Sequence, residues 1–62
     1  MKKKISGVTF RARRIKLGDA NLLEVYCYQS KIYGIVFQIS HEAWKDRSFL
    51  IAEYRYLKGR KA

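Results

Sequence analysis

The sequence predicts an α+β fold, in which a three-stranded antiparallel meander carries one C-terminal helix packed on one of its faces. Three stretches lead to this prediction: an alternating run over residues 6–16, two apolar runs over 22–39 that flank a short polar step, and a capped helical pattern over 40–59. A chain of 62 residues buries only about 60% of its unfolded surface and supports one core. Residues 1–62 are therefore expected to form a single domain.

The first strand is predicted from strict alternation within residues 6–16. An apolar series faces one side and a polar series the other: Val8, Phe10 and Ala12 against Thr9, Arg11 and Arg13. Residues 17–21 then favour a turn, because glycine and asparagine adopt positive φ at little cost. Ahead of the strand, residues 1–5 are expected to form a basic flexible arm, whose Lys2, Lys3 and Lys4 would contact phosphates without reading sequence.

Residues 22–39 predict a β-hairpin, and burial decides the length of its loop. A two-residue loop at Ser30-Lys31 would divide the apolar side chains between both faces of the hairpin. A three-residue loop over 30–32 makes one face almost wholly apolar, through the pairs Gln29–Tyr33, Cys27–Ile35, Val25–Phe37 and Leu23–Ile39. We therefore expect the three-residue loop. The opposite face then carries Glu24, Tyr26, Tyr28, Val36 and Gln38.

The same apolar matching sets the register between the first strand and the hairpin. It predicts three buried rows: Ala12–Leu23–Ile39, Phe10–Val25–Phe37 and Val8–Cys27–Ile35. In that register Arg11 lies opposite Glu24, which is a weakly stabilising pair of opposite charges. Tyr28 lies between Gly7 and Gly34, where its ring can cover bare backbone.

A helix is predicted over 41–58, with Ser40 as its N-cap and Gly59 just beyond its end. Its apolar stripe consists of Ala43, Leu50, Tyr54 and Leu57, with Trp44 and Ile51 beside it. Residues 48–57 also alternate as a strand would, so a small all-β domain with a fourth strand there is the alternative. The helix is favoured because a lone three-stranded sheet needs a covering layer. Residues 59–62 are expected to form a basic tail.

Charge is the strongest functional signal in the chain. Fourteen Lys and Arg residues against five Asp and Glu residues give a formal net charge of +9. Such an excess favours an anionic partner, with nucleic acid first and an acidic membrane or protein next. A content of 48% hydrophobic residues argues against disorder. A membrane span is not expected, since no run approaches about 18 consecutive apolar residues.

Catalytic, metal and cofactor sites are not expected. The five carboxylates show no paired spacing, and His41 has no cysteine or serine arranged beside it as a catalytic partner. Cys27 is the only cysteine, so it forms no intrachain disulfide, and together with His41 it is too small a ligand set for zinc. We therefore expect a non-enzymatic protein of the reducing cytoplasm, with Cys27 in its core.

Basic and aromatic side chains on the exposed sheet face indicate nucleic-acid binding. A β-sheet fits the major groove, where arginine pairs with guanine and glutamine with adenine. The predicted contacts are Arg11, Arg13, Arg14, Lys16, Tyr26, Tyr28, Lys31, Gln38, Arg60 and Lys61. Duplex DNA is favoured, although Tyr26 and Tyr28 would also suit the bases of single-stranded RNA. Arg11, Glu24 and Gln38 share one predicted row. The alternative to contacts with DNA bases is that these three side chains form a polar network on the protein surface.

Parts of the sequence resemble a known class of DNA-binding domain. The matching stretches are SGV at the first strand, YGIVF at the third, and HEAW leading to AEYRYLKG. They are similar to the ethylene-response-factor type of domain and to the related arm-site-binding domains of phage integrases. The resemblance implies a three-stranded sheet with one packed helix, and a DNA groove met by Arg11, Arg13 and Tyr26. The chain departs from the family in lacking its strand tryptophan and in having fewer arginines on the sheet.

The expected function is that of a small phage- or plasmid-type regulator or accessory factor, which contacts duplex DNA with the exposed sheet face. The alternative is a protein-interaction module or inhibitor that docks a basic, Tyr-rich face onto an acidic protein, because tyrosine and arginine are also enriched at protein hot spots. Homodimer formation is a further alternative, since the edge strands of a sheet can pair with another copy.

Overall fold

The computed structural model describes residues 1–29 and 34–60. Its strands are β1 (Lys2–Ile5), β2 (Val8–Leu17), β3 (Ala20–Tyr28) and β4 (Ile35–Ile39), and its helices are α1 (His41–Trp44) and α2 (Arg47–Gly59). The strands form one antiparallel sheet in the order β1-β2-β3-β4. The α+β class and the meander are confirmed, but the described residues form four strands where the sequence predicted three.

The additional strand is β1, formed by residues that were expected to precede the sheet as a basic arm. It pairs antiparallel with β2 along its whole length, and two hydrogen bonds between Met1 and Ala12, of 2.9 and 3.2 Å, extend the pairing. Ser6 and Gly7 join the two strands with φ angles of 50° and 80°. Positive φ at both central residues is what a type I′ hairpin turn requires. The run of lysines hid this hairpin, because lysine is depleted in strands.

A tight turn at Gly18-Asp19 joins β2 to β3 and shifts their register by two residues from the prediction. Gly18 has a φ of 60°, and both strands continue up to the turn instead of ending at residue 16 and beginning at residue 22. Phe10 consequently lies opposite Cys27, where the sequence predicted Val25. The first member of each predicted row is therefore wrong. A shift of two residues nevertheless keeps every side chain on its predicted face.

The register between β3 and β4 agrees with the prediction. Cys27 lies opposite Ile35, Val25 opposite Phe37, and Leu23 opposite Ile39. The predicted pair of Gln29 with Tyr33, and the loop over 30–32, lie outside the described residues.

The helical layer follows β4 in two pieces. Ser40 caps α1 as predicted, and the Ala43 N–H donates to its hydroxyl at 3.2 Å. The single predicted helix is broken at Lys45-Asp46, because the Asp46 carboxylate accepts from the Phe49 N–H at 3.0 Å and so starts α2. The alternative all-β fold placed a fourth strand at residues 48–57, but these residues lie in α2. The sheet does have a fourth strand, and it is β1. The predicted C-terminal cap is also corrected: α2 includes Gly59, and Arg60 caps it in a right-handed conformation.

Both helices cover the same face of the sheet and enclose one core. The buried apolar side chains are Ile5, Val8, Phe10, Leu23, Val25, Cys27, Ile39, Trp44, Leu50 and Tyr54. The Tyr54 ring meets Phe10 edge-on, with their centroids 6.2 Å apart. Lys3 ties β1 to this layer, because its ammonium lies 4.8 Å from the centroid of the Trp44 ring and donates to the Trp44 carbonyl oxygen. The opposite face of the sheet is left uncovered by the helices.

Candidate nucleic-acid interface

The uncovered side of the sheet, called the open face below, is defined by alternation along the strands. Side chains next to a buried strand residue point to the other side, and residues paired across strands share a face. The open face consists of Lys2 and Lys4 on β1, Thr9, Arg11, Arg13, Ile15 and Leu17 on β2, Ala20, Leu22, Glu24, Tyr26 and Tyr28 on β3, and Val36 and Gln38 on β4.

The open face is strongly cationic. It holds four basic side chains, Lys2, Lys4, Arg11 and Arg13, against the single carboxylate of Glu24. Half of these cations come from β1, which places Lys2 directly opposite Arg11. Such a concentration of one sign of charge on one surface attracts anionic partners.

Arg13 and Glu24 form the one ion pair among residues 1–29 and 34–60. The Arg13 Nε and Nη2 atoms both lie 2.8 Å from Glu24 Oε1. The Arg13 side chain is 75% exposed, and ion pairs in such positions typically contribute only about 0–1 kcal/mol to stability. The sequence predicted Arg11 in this place, and the register shift brings Arg13 there instead. The row that contains Gln38 is accordingly Arg13–Glu24–Gln38.

Two tyrosines form the aromatic part of the open face. Tyr26 is 45% exposed, and its ring lies 5.5 Å from that of Tyr28, with the planes inclined at 42°. A Cβ atom added at Gly34 would overlap the Tyr26 ring carbons and hydroxyl. Tyr26 therefore covers Gly34, whereas the sequence predicted that the Tyr28 ring would cover it. Tyr28 lies opposite Thr9 and not opposite Gly7, again because of the two-residue shift.

A recess of about 390 Å³ lies beside Tyr26, across the first three strands. Its lining residues are Met1, Lys2, Arg11, Ala12, Arg13, Glu24 and Tyr26. Three cations and one exposed aromatic ring therefore surround a single concavity. Guanidinium groups bind phosphate or guanine through two parallel hydrogen bonds, and an aromatic ring contacts bases and sugars.

Five of the predicted contact residues meet on the open face: Arg11, Arg13, Tyr26, Tyr28 and Gln38. Arg14 and Lys16 do not join them, because alternation along β2 points them to the helical side, opposite Leu23 and Asn21 respectively. Arg60 is also separate, since it caps α2 with its guanidinium 5.6 Å from the Tyr56 ring centroid.

Two other predicted contacts, Lys31 and Lys61, lie outside the described residues. Lys2 and Lys4 were expected to contact phosphates from a flexible arm, whereas β1 places both of them on the open face of the sheet. The Ser6-Gly7 pair at the end of the lysine run was the signal that could have placed them there.

The described part of the chain offers little to a metal site or to a cysteine nucleophile. No group of three or more His, Cys, Asp and Glu side chains is arranged to hold a metal ion there. Burial raises the pKa of the Cys27 thiol to about 11, and a backbone hydrogen bond at Ile35 lowers it by a smaller amount. The thiol donates to the Ile35 carbonyl oxygen at 3.3 Å. A buried thiol with a raised pKa is a poor nucleophile. Neither of the two described helices has the length and apolar character needed to cross a membrane.

No family can be assigned to the chain by similarity to known proteins. Comparisons with protein-family models, with curated proteins and with solved structures returned no match to the chain.

Proposed function

We propose that the protein binds duplex DNA through its open face, as a small cytoplasmic regulator or accessory factor and not as an enzyme. The observation that carries the proposal is the concentration of four cations and a tyrosine pair, of which Tyr26 is exposed, on one face that contains a single carboxylate. The phage or plasmid setting rests on the resemblance to integrase arm-binding domains described above.

The dimensions of the sheet suggest how it would meet the duplex. Four strands at a spacing of about 4.8 Å span about 14 Å, slightly more than the major groove, which is about 12 Å wide. The central strands β2 and β3 would enter the groove, and β1 would lie along one phosphate wall. Lys2 and Lys4 then contact phosphates, whereas Arg11 and Arg13 are placed to reach base edges.

The uncharged part of the open face fits the same arrangement. Tyr26 and Tyr28 offer apolar surface to sugars and bases, and Val36 suits the methyl group of thymine. Glu24 is the one unfavourable group, because its charge repels phosphate. Its hydrogen bonds to Arg13 offset that repulsion locally and hold the guanidinium in place.

The test is a titration of a short mixed-sequence DNA duplex by fluorescence anisotropy, between about 50 and 200 mM salt. If each of the four open-face cations replaces one counterion, the logarithm of the affinity falls with a slope of about −3.6 against the logarithm of salt concentration. Replacing Arg11 and Arg13 together by alanine should weaken binding and reduce the slope to about −1.8.

Arg14→Ala with Lys16→Ala is the matched control. It removes the same charge from the same strand, but from the helical side of the sheet. We expect it to retain the slope and most of the affinity. Undetectable binding at about 50 mM salt, or equal losses in the two double variants, would overturn the proposal.

An acidic protein is the second candidate partner, and one observation favours it. Val36 and Tyr26 are exposed neighbours in one row, with the cations around them, and a mixed apolar, aromatic and basic surface is typical of protein hot spots. The DNA titration separates the two candidates, because a surface that serves only an acidic protein should not bind the duplex with the affinity and salt slope expected above. Single-stranded RNA in a parallel titration tests the remaining nucleic-acid alternative.

A further inference from the structure

The two edges of the sheet differ in their chemistry. β1 carries three consecutive lysines, and charged side chains on an edge strand discourage pairing with another chain. β4 has the sequence IVFQI, without a charge or a proline. In a chain with a net charge of +9, this edge is the one that lacks such protection.

The β4 edge is also apolar on both of its faces. Val36 is 53% exposed on the open face, while Ile35 and Phe37 on the helical side are only partly buried. β4 pairs with β3 along one side, and no backbone hydrogen bond within the described residues reaches its other side. An unpaired main chain between two apolar surfaces is a template for a further strand.

We propose that β4 pairs antiparallel with β4 of a second copy of the protein, about a two-fold axis at Phe37. An antiparallel pair of identical strands is self-complementary under such an axis. Centring it on Phe37, the middle residue of the strand, uses all five residues and places Val36 opposite Gln38 of the second copy. The result is a continuous eight-stranded sheet with all helices on one side and both open faces on the other.

The distribution of charge permits this pairing. The open-face cations lie on β1 and β2, at least two strands away from β4. Across the dimer the two β2 strands would be about 24 Å apart at a strand spacing of about 4.8 Å. This distance is well above the Debye length of about 8 Å at physiological ionic strength. Repulsion between the two cationic regions is therefore largely screened.

The size of the contact sets its strength. A stable interface typically buries about 800 Å² from each partner, and an edge of five residues with its adjacent side chains falls at or below that value. We therefore expect association on the order of 10–100 µM. The proposal does not depend on DNA binding, and its failure would leave the proposed function untouched.

Sedimentation equilibrium over about 10 µM to 1 mM tests the pairing. The mass of the unmodified protein should rise from 7.4 kDa towards twice that value with increasing concentration. Val36→Lys should keep the mass of one chain throughout, because a charge on the edge strand opposes pairing. Its circular dichroism should be unchanged, since the side chain is exposed.

Leu17→Lys is the matched control for this experiment. Leu17 is 49% exposed on the same face, so the variant has the same net charge as Val36→Lys but leaves the β4 edge intact, and it should associate like the unmodified protein. The proposal is overturned if the unmodified protein keeps the mass of one chain at all concentrations. Equal association of the two lysine variants, or growth beyond two chains, would overturn it as well.

Discussion

At the scale of single residues, Gly34 leaves the space that the Tyr26 ring occupies on the open face. The Tyr26 ring lies where a Cβ atom at Gly34 would be, so Gly34→Ala should force the ring to swing away while leaving the core untouched. We expect the affinity for a DNA duplex to fall about three- to tenfold, which corresponds to about 0.7–1.4 kcal/mol. Fluorescence anisotropy measures this change, and thermal unfolding checks that the fold is retained.

Gly59→Ala provides the comparison for that substitution. No atom lies near the position of its Cβ, and Gly59 belongs to α2, away from the open face. It should leave DNA affinity unchanged and add up to about 1 kcal/mol of stability through helix propensity. If Gly34→Ala and Gly59→Ala bind DNA equally well, the Tyr26 ring does not contact DNA in the position seen here.

Cys27 makes stability depend on pH in the alkaline range. Burial raises its pKa from 9.0 to about 11, so the unfolded chain loses this proton at a lower pH than the folded protein. The stabilising contribution is complete below pH 9.0 and is lost as the pH rises to about 11. The free energy of unfolding should fall by about 1.4 kcal/mol per pH unit in that window.

Urea unfolding of the protein and of Cys27→Ala, at several pH values between 8 and 11, isolates this contribution. The variant lacks the thiol but keeps every other group that titrates there, and its small cavity adds an offset that does not depend on pH. The two curves of stability against pH should therefore converge as the pH rises. Parallel curves would show that Cys27 does not titrate differently on folding.

At the scale of secondary-structure elements, β1 is the part that the sequence did not predict. Ile5 is buried in the core, on the strand that also brings Lys2 and Lys4 to the open face. Ile5→Ala should cost about 2–4 kcal/mol in the free energy of unfolding, and Ile5→Val about 1 kcal/mol. Lys4→Ala removes an exposed side chain from the same strand and should stay within about 0.5 kcal/mol. Urea midpoints that match that of the unmodified protein in both Ile5 variants would contradict a docked β1.

Hydrophobic alternation predicted faces better than registers, and the strands show why. β3 and β4 both carry apolar residues at every second position, so only one register buries them all, and it was predicted correctly. In β2 the residues that face the core are apolar only as far as Ala12, and the same series continues with Arg14 and Lys16. Burial of apolar side chains therefore does not distinguish one register of β2 from another that is shifted by two residues. The turn at Gly18-Asp19 decided between them instead.

The same reasoning explains which of the predicted contact residues lie on the open face. Alternation alone decides the face, and it predicted that face correctly for Arg11, Arg13, Tyr26, Tyr28 and Gln38. Arg14 and Lys16 were included for their charge, although alternation places them on the helical side. The break between α1 and α2 was also open to prediction, since Asp46 is a preferred N-cap residue three positions before Phe49.

At the scale of the whole molecule, the core and the surface that we propose to bind DNA lie on different sides of the sheet. The helical side holds the buried apolar residues, and the open face holds the four cations and the tyrosine pair. Substitutions of Arg11, Arg13 or Val36 should therefore test the proposed binding with little effect on the core.

The meander topology also bears on how quickly the chain reaches this structure. Every strand pairs with its neighbour in sequence, and two of the three connections within the sheet are two-residue turns. Such contacts close short loops, so the relative contact order of the first 28 residues is low for a β-sheet, and topologies of this kind fold faster than sheets built from distant strands. Because β1, β2 and β3 precede the helices, the strands that carry the cations emerge first during synthesis, and their pairing becomes stable only when the helices cover the apolar face.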